Sequence, residues 1–345
     1  MRRSLFTLLL ATLLMPIPRD LLAQDPHTSF VGVAPSIYNP ALTGVINDAR
    51  TRVAVNSRLQ WDPVVGRDDS FRTYNLAVDS YVCLPWDGDV LAWGVFATSD
   101  RRGASPLYRF DGNLALAYRK RLDENNKRTN YLSLGGKLGV IQHRIDYGNL
   151  TFNEQFDNPS LPPEVSGLNT STVADLSVGV AFSSLSKRRL GQSWEAGFSI
   201  LHVNRPFFSL IETPVDERLG QFINLHFVGH GSILMPINNQ ALRISLIYRR
   251  QAPHEQLLAS VDFHFELARD NYLFIGTGYR FSEVSAFKWD ARIFNLGFLL
   301  SEQYSITFHY DWGTYVRESV PQSLEASISY RFGSTSCQRV YCPNY

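Results

Sequence analysis

From Ser323 to Phe332 every second residue is apolar: Leu324, Ala326, Ile328, Tyr330 and Phe332 alternate with Ser323, Glu325, Ser327, Ser329 and Arg331. Just upstream, Tyr304, Ile306, Phe308, Tyr310 and Trp312 alternate with Ser305, Thr307, His309, Asp311 and Gly313. A period of two puts successive side chains on opposite faces of a β-strand, so each segment has one greasy and one wet face. Soluble sandwiches alternate as well. The deciding question is whether the pattern recurs until a sheet can close on itself.

It recurs along most of the chain. Val53, Val55, Leu59 and Trp61 oppose Arg52, Asn56, Arg58 and Gln60, and Tyr74, Leu76, Val78 and Val82 oppose Thr73, Asn75 and Asp79. Leu91, Trp93 and Val95 follow, then Leu114, Leu116 and Tyr118, then Leu132, Leu134, Leu138 and Val140. The second half repeats the theme around Leu176–Phe182, Trp194–Ile200, Ile223–Phe227, Leu242–Tyr248, Leu257–Phe265 and Leu273–Phe281. One segment changes parity: Trp289, Ala291 and Ile293 favour one face and Phe294, Leu296, Phe298 and Leu300 the other, which predicts a bulge near Phe294. The count is about fourteen strands of roughly ten residues, long enough to cross a bilayer when tilted.

The connections sort by parity. With the first strand running outward, the links after even strands fall at 84–88, 123–128, 185–190, 236–239, 268–270 and 301–302, short and rich in Asn, Asp, Lys and Gly. The odd links include 147–171 and 205–218, the longest in the chain. Short turns on one side and long loops on the other is the outer-membrane arrangement, and a sandwich has no reason to adopt it. The fold predicted is all-β: a transmembrane antiparallel barrel over residues 49–333, with a non-barrel segment before it and a tail at 334–345.

The start of the chain fits export. Arg2 and Arg3 precede an apolar run from Leu5 to Met15, and Leu21-Leu22-Ala23 offers a cleavage point, so residues 1–23 read as a secretory signal peptide. Pro16 and Pro18 interrupt the run too soon for a membrane anchor. A formal charge of +1 with mixed signs argues against a nucleic-acid partner. Aromatics at 13% suit girdles at the two membrane interfaces and suit a secreted carbohydrate-binding β-sandwich as well, so composition leaves both open. Cysteine is scarce: Cys83 reads as a small buried hydrophobe, while export permits a disulfide between Cys337 and Cys342.

In hydrocarbon an unpaired backbone polar group costs several kcal/mol, so the last strand must pair with the first, Ser323–Phe332 against Arg52–Trp61. Arg119, Lys137, Arg243, Arg249 and Arg280 alternate with outward apolar residues and must face the lumen, placed to pair with Asp79, Asp175, Asp262, Glu266 and Asp311. Fourteen strands enclose more space than their own side chains fill. Residues 24–48 break the alternation with Pro35, Pro40 and Gly44 yet carry Phe30, Ile37, Tyr38 and Leu42. They either plug the lumen or dock on a periplasmic partner.

Catalytic and cofactor signals are lacking. No GxSxG, HExxH, CxxC or P-loop occurs. His264 with Asp262 and His309 with Asp311 are i, i+2 pairs of the kind polar faces produce by chance. His202, His226 and His230 lack ligand-like spacing and are set aside as a metal site. A non-enzymatic protein without a cofactor is expected.

The chain resembles the PorP/SprF family of outer-membrane proteins from the type IX secretion and gliding machinery of the Bacteroidetes. The resemblance rests on Gln24-Asp25-Pro26, on Tyr38-Asn39-Pro40-Ala41-Leu42-Thr43-Gly44, on Asn56–Trp61, on Arg144–Gln155, and on Glu325–Phe332 with the Cys337…Cys342-Pro343 tail. A His usually precedes the Glu of the final strand, where this chain has Leu324. The resemblance implies an outer-membrane anchor for periplasmic secretion-ring proteins or for exported surface adhesins, with Tyr38, Asn39, Pro40, Ala41 and Gly44 as partner-binding residues. The alternative is a transport channel similar to the long-chain fatty-acid porins.

Overall fold

The computed structural model describes residues 25–26, 28–29, 34–46, 49–61, 70–86, 88–103, 107–146, 168–188, 190–210, 221–238, 240–282, 288–313 and 322–333. The strands are β1 (Thr51–Gln60), β2 (Phe71–Cys83), β3 (Val90–Arg102), β4 (Leu107–Glu124), β5 (Arg128–Asp146), β6 (Leu168–Ser186), β7 (Ser193–Leu201), β8 (Phe207–Phe208), β9 (Gln221–Phe222), β10 (His226–Ile237), β11 (Gln240–Gln251), β12 (His254–Ala268), β13 (Asn271–Ser282), β14 (Trp289–Leu300), β15 (Tyr304–Gly313) and β16 (Gln322–Phe332). Fourteen of them form one closed antiparallel barrel, and β8 and β9 make a separate two-stranded ribbon. No helix among the described residues is long and apolar enough to cross a membrane, which says nothing about strands.

Closure is complete along the seam. All ten residues of β1 pair with β16, from Thr51 opposite Phe332 to Gln60 opposite Ser323, and all ten also pair with β2. The sheet therefore has no free edge there, as hydrocarbon requires. The outer face is apolar: Leu114, Leu116, Leu134, Leu138 and Ile328 are 61%, 63%, 56%, 57% and 58% exposed. A continuous apolar belt of this extent is a lipid-facing surface, not one for water. Exposed aromatics mark both rims of the belt, with Tyr118, Tyr304 and Tyr330 toward the short turns and Phe110, Trp289 and Trp312 toward the long loops. On β4, Phe110 and Tyr118 lie eight residues apart, about 27 Å along the strand and about 20 Å once it tilts.

The expected bulge lies elsewhere. In β14, Phe294 pairs with Thr277 without interruption, and the register shifts instead where Arg280 faces Ala291 and Phe281 faces Trp289, skipping Asp290. Ala291 and Ile293 thus face inward, 0% and 2% exposed, while Trp289 and Phe294 face out. The Ile223–Phe227 strand also begins later than expected. The barrel strand starts at His226, and Ile223 is buried under β8 with Phe208 and Ile141.

Inside, the predicted pairing of charges holds in part. Arg52 grips Asp79 (2.8 Å), Arg243 grips Asp262 (2.9 Å), and Arg280 and Arg58 converge on Asp311 (2.6 and 3.1 Å). Glu266 is instead exposed at the short-turn end of β12. Arg119 lies over the Tyr131 ring instead (5.7 Å).

Candidate functional site

The segment before β1 occupies the lumen. Pro35–Ile37 and Pro40–Leu42 form two short 3-10 turns, each started by a proline whose missing N–H would have been unpaired there anyway. Asn39 sets the second turn by accepting the Ala41 N–H on its side-chain oxygen (3.0 Å). At the long-loop end the Asp25 N–H donates to Gln251 (2.8 Å), and at the short-turn end Ile46 and Ala49 pack on Tyr81, Val90 and Ala92. The described residues between run along the barrel as an internal strap.

Each stretch of strap is pinned by wall residues from several strands. Ser29 donates its N–H to Glu325 (2.9 Å) and its hydroxyl to Asp311 (2.6 Å), and Arg249 donates to the Thr28 carbonyl (3.0 Å). The Tyr38 carbonyl accepts from the Ser199 hydroxyl (2.6 Å), and the Asn39 amide donates to the Val180 carbonyl (3.2 Å) and lies 2.8 Å from His230 Nε2. The Gly44 N–H donates to Asp79 (2.8 Å), the carboxylate that Arg52 also holds. Gly44 has φ of +68°, and a Cβ there would lie 2.5 Å from that of Ala92, so only glycine fits.

Apolar contacts complete the fit. Tyr38, Ala41, Leu42 and Val45 share a core with Tyr131, Ala181, Leu185 and Val228, while Ile37 packs against Ala54, Ala77, Phe96 and Ala115. The run of alanines on the wall leaves room for the strap, and the strap keeps that apolar wall out of water. Cavities of about 40 and 90 Å³ remain beside Tyr38, room for a few waters.

The five motif residues therefore come together, but inward. Tyr38 is 6% exposed and Asn39 and Ala41 are 0% exposed, with Pro40 and Gly44 also buried. Residues 1–23, the Tyr147–Gln155 part of the fourth motif block, and Cys337 and Cys342 lie outside the described residues; Arg144 of that block stacks over Tyr108 (4.7 Å). Cys83 is disulfide-bonded, which corrects the expectation of a free buried thiol. The carboxylates of the two chance His–Asp pairs are committed to structure, Asp262 to Arg243 and Asn295, Asp311 to Arg58, Arg280 and Ser323.

One group escaped the sequence reading. Asp25 Oδ2 lies 2.7 Å from His202 Nε2 and 2.7 Å from His226 Nδ1, its other oxygen 2.7 Å from Arg109, and His202 Nδ1 lies 2.7 Å from Asp175. Histidine spacing gave no hint because the joining residue is the strap's Asp25, 177 and 201 positions away.

Apolar outside, ion-paired inside and closed without an edge, the molecule is a membrane β-barrel of the outer-membrane class with its own chain in the lumen. It belongs to the PorP/SprF family: the model for "Type IX secretion system membrane protein PorP/SprF" matches residues 21–330. Among curated proteins, no sequence matches it. Its fold is similar to a mutant of the monoaromatic hydrocarbon channel TodX (TM-score 0.50, 11% identity, 87% of this chain and 94% of that one). The Ralstonia pickettii toluene transporter TbuX (TM-score 0.46, 10% identity, 88% and 94%) and a Pseudomonas aeruginosa FadL homologue (TM-score 0.44, 11% identity, 86% and 93%) are similar at lower scores.

Proposed function

We propose that this chain is a non-catalytic outer-membrane component of a type IX secretion or gliding machinery, exported with cleavage near Ala23, that anchors periplasmic ring proteins or exported surface adhesins. The observation that supports an anchor over an open pore is the strap, hydrogen-bonded to the wall at Ser29, Tyr38, Asn39 and Gly44. In this reading the short-turn rim faces the periplasm and meets the partner. Tyr38, Asn39, Pro40, Ala41 and Gly44 reach a partner only when the strap is drawn out of the lumen. Affinity purification from native membranes, with identification of what accompanies the barrel, tests the proposal. Co-purifying periplasmic or surface components are expected, and a deletion strain that secretes and glides normally would overturn it.

A second reading, a transport channel, is favoured by the likeness in fold to a hydrocarbon channel. It requires conductance in planar bilayers that rises when residues 25–48 are removed. Absence of conductance in both forms dismisses it.

A further inference from the structure

We propose that Asp25, His202 and His226 form a binding site for one divalent transition-metal ion of the zinc class, which fastens the N-terminal strap to the barrel wall. Three protein ligands of the types zinc prefers converge here: a carboxylate oxygen and two imidazole nitrogens, all within 4.8 Å of one another. They come from three places. Asp25 is on the strap, His202 follows the last residue of β7, and His226 opens β10, where the intervening chain leaves the wall to form the β8–β9 ribbon. All three are buried, at 7%, 4% and 5% exposure.

The surroundings are those of a ligand set. Asp175 holds the far nitrogen of His202 (2.7 Å), the carboxylate–histidine–metal arrangement that fixes the tautomer and orients the ring. Arg109 steadies the other oxygen of Asp25 (2.7 Å) and is itself balanced by Asp111 (3.0 Å). The adjoining cavity of about 90 Å³ is lined by the same Asp25, Asp175, His202 and His226 and has room for a water as fourth ligand.

The geometry also states what an ion displaces. Both nitrogens of His202 face carboxylate oxygens at 2.7 Å; with Asp25 and Asp175 ionised, both are N–H donors and the ring is a cation. His226 turns Nδ1 to Asp25, and its Nε2 has no hydrogen-bond partner among the described residues. Coordination through His202 Nε2 and His226 Nδ1 releases the first proton to solvent and moves the second to His226 Nε2. One ion enters, one proton leaves, and both rings end neutral. Tetrahedral ligands at about 2.0–2.1 Å stand about 3.3 Å apart, so the present 2.7 Å contacts must open by roughly 0.6 Å. Side-chain rotation supplies that.

The test uses the full mature chain folded in detergent, with folding verified by heat-modifiable migration. After chelator treatment it is titrated with Zn²⁺, and separately with Co²⁺, whose visible bands report the ligand field. The expected result is about one ion per chain with about one proton released, read from the buffer dependence of the calorimetric heat. Asp175→Asn should weaken binding about 10–100-fold, His226→Gln should remove it, and His254→Gln at the exposed start of β12 should leave it unchanged. A folded wild-type barrel that takes up neither ion overturns the proposal, whatever the variants do. Uptake that survives in folded His226→Gln overturns it as well, since the ion is then adventitious.

Discussion

Gly179 lies directly beneath Asn39: a Cβ at position 179 would sit 2.0 Å from the Asn39 side-chain oxygen. Its neighbour across the β5–β6 pair is Gly135, where a Cβ would sit 2.4 Å from the Pro40 carbonyl. The two glycines form a flat place in the wall on which the second turn of the strap rests. Strap and wall were thus shaped together, side chain removed on one side and a tight turn set down on the other.

Adjacent positions separate this close approach from ordinary strand effects. Gly136 has only the Ser177 carbonyl within reach, at 3.9 Å, and points away from the strap. Gly135→Ala should therefore lower stability by about 1–3 kcal/mol through overpacking against backbone, while Gly136→Ala stays within about 0.5 kcal/mol. Urea midpoints of the heat-modifiable folded band check both.

Asp311 is the hub of a buried charge cluster, held by Arg280 (2.6 Å), Arg58 (3.1 Å), Ser29 (2.6 Å) and Ser323 (2.8 Å). Asp311→Asn leaves buried guanidinium groups short of a counter-charge, at a cost of about 3–5 kcal/mol. Arg269, 95% exposed beside Asp270, is the contrasting pair, and Arg269→Ala should change stability by less than about 0.5 kcal/mol. Equal midpoints for the two variants would refute the assignment of the hub.

At the short-turn rim, burial pushes the Asp89 carboxyl up, but donors from the Tyr118 hydroxyl, the Arg121 N–H (2.9 Å) and the Lys120 ammonium (3.0 Å) outweigh it and hold its pKa below the usual value. A folded pKa below the unfolded one means the unfolded chain binds the proton first as pH falls. The stabilisation is present above the unfolded Asp pKa of about 3.9 and is lost as pH drops through the lower folded value. Asp89→Asn should accordingly be weaker than the wild type near about pH 7, with the gap narrowing toward about pH 3. A gap independent of pH in paired urea titrations would contradict this.

How much of this was written in the sequence depends on whether one residue meets one environment. Strands such as Ser323–Phe332 announce themselves because lipid and lumen demand opposite side chains at every step. Ala291 and Ile293 misled for the same reason: they are apolar yet face inward, Ile293 beside Ser29 and Tyr38 of the strap, and periodicity cannot tell a greasy interior from lipid. The strap itself was legible as an interruption with apolar residues, but its place inside rests on contacts such as Asn39 to Val180, 141 residues apart. The Asp25 cluster spans still longer separations and left no local trace.

Cys83 is bonded, and with three cysteines in the chain its disulfide and a Cys337–Cys342 bond draw on the same thiols and exclude each other in one molecule. The rim geometry favours a tail partner for Cys83. The Arg50 N–H donates to the Phe332 carbonyl (3.1 Å) while its own carbonyl accepts from Tyr81 (3.3 Å), so the end of β16 and the end of β2 meet there. From Gly333, four residues reach Cys337, a span of up to about 14 Å. Peptide mapping without reductant should find Cys83 joined to a tail peptide, and thiol titration one free cysteine per chain. In Cys83→Ser the two tail cysteines are left to pair with each other, and stability should fall by about 2–4 kcal/mol. Recovery of a Cys337–Cys342 peptide from the wild type, with Cys83 free to alkylate, would show instead that the tail closes on itself.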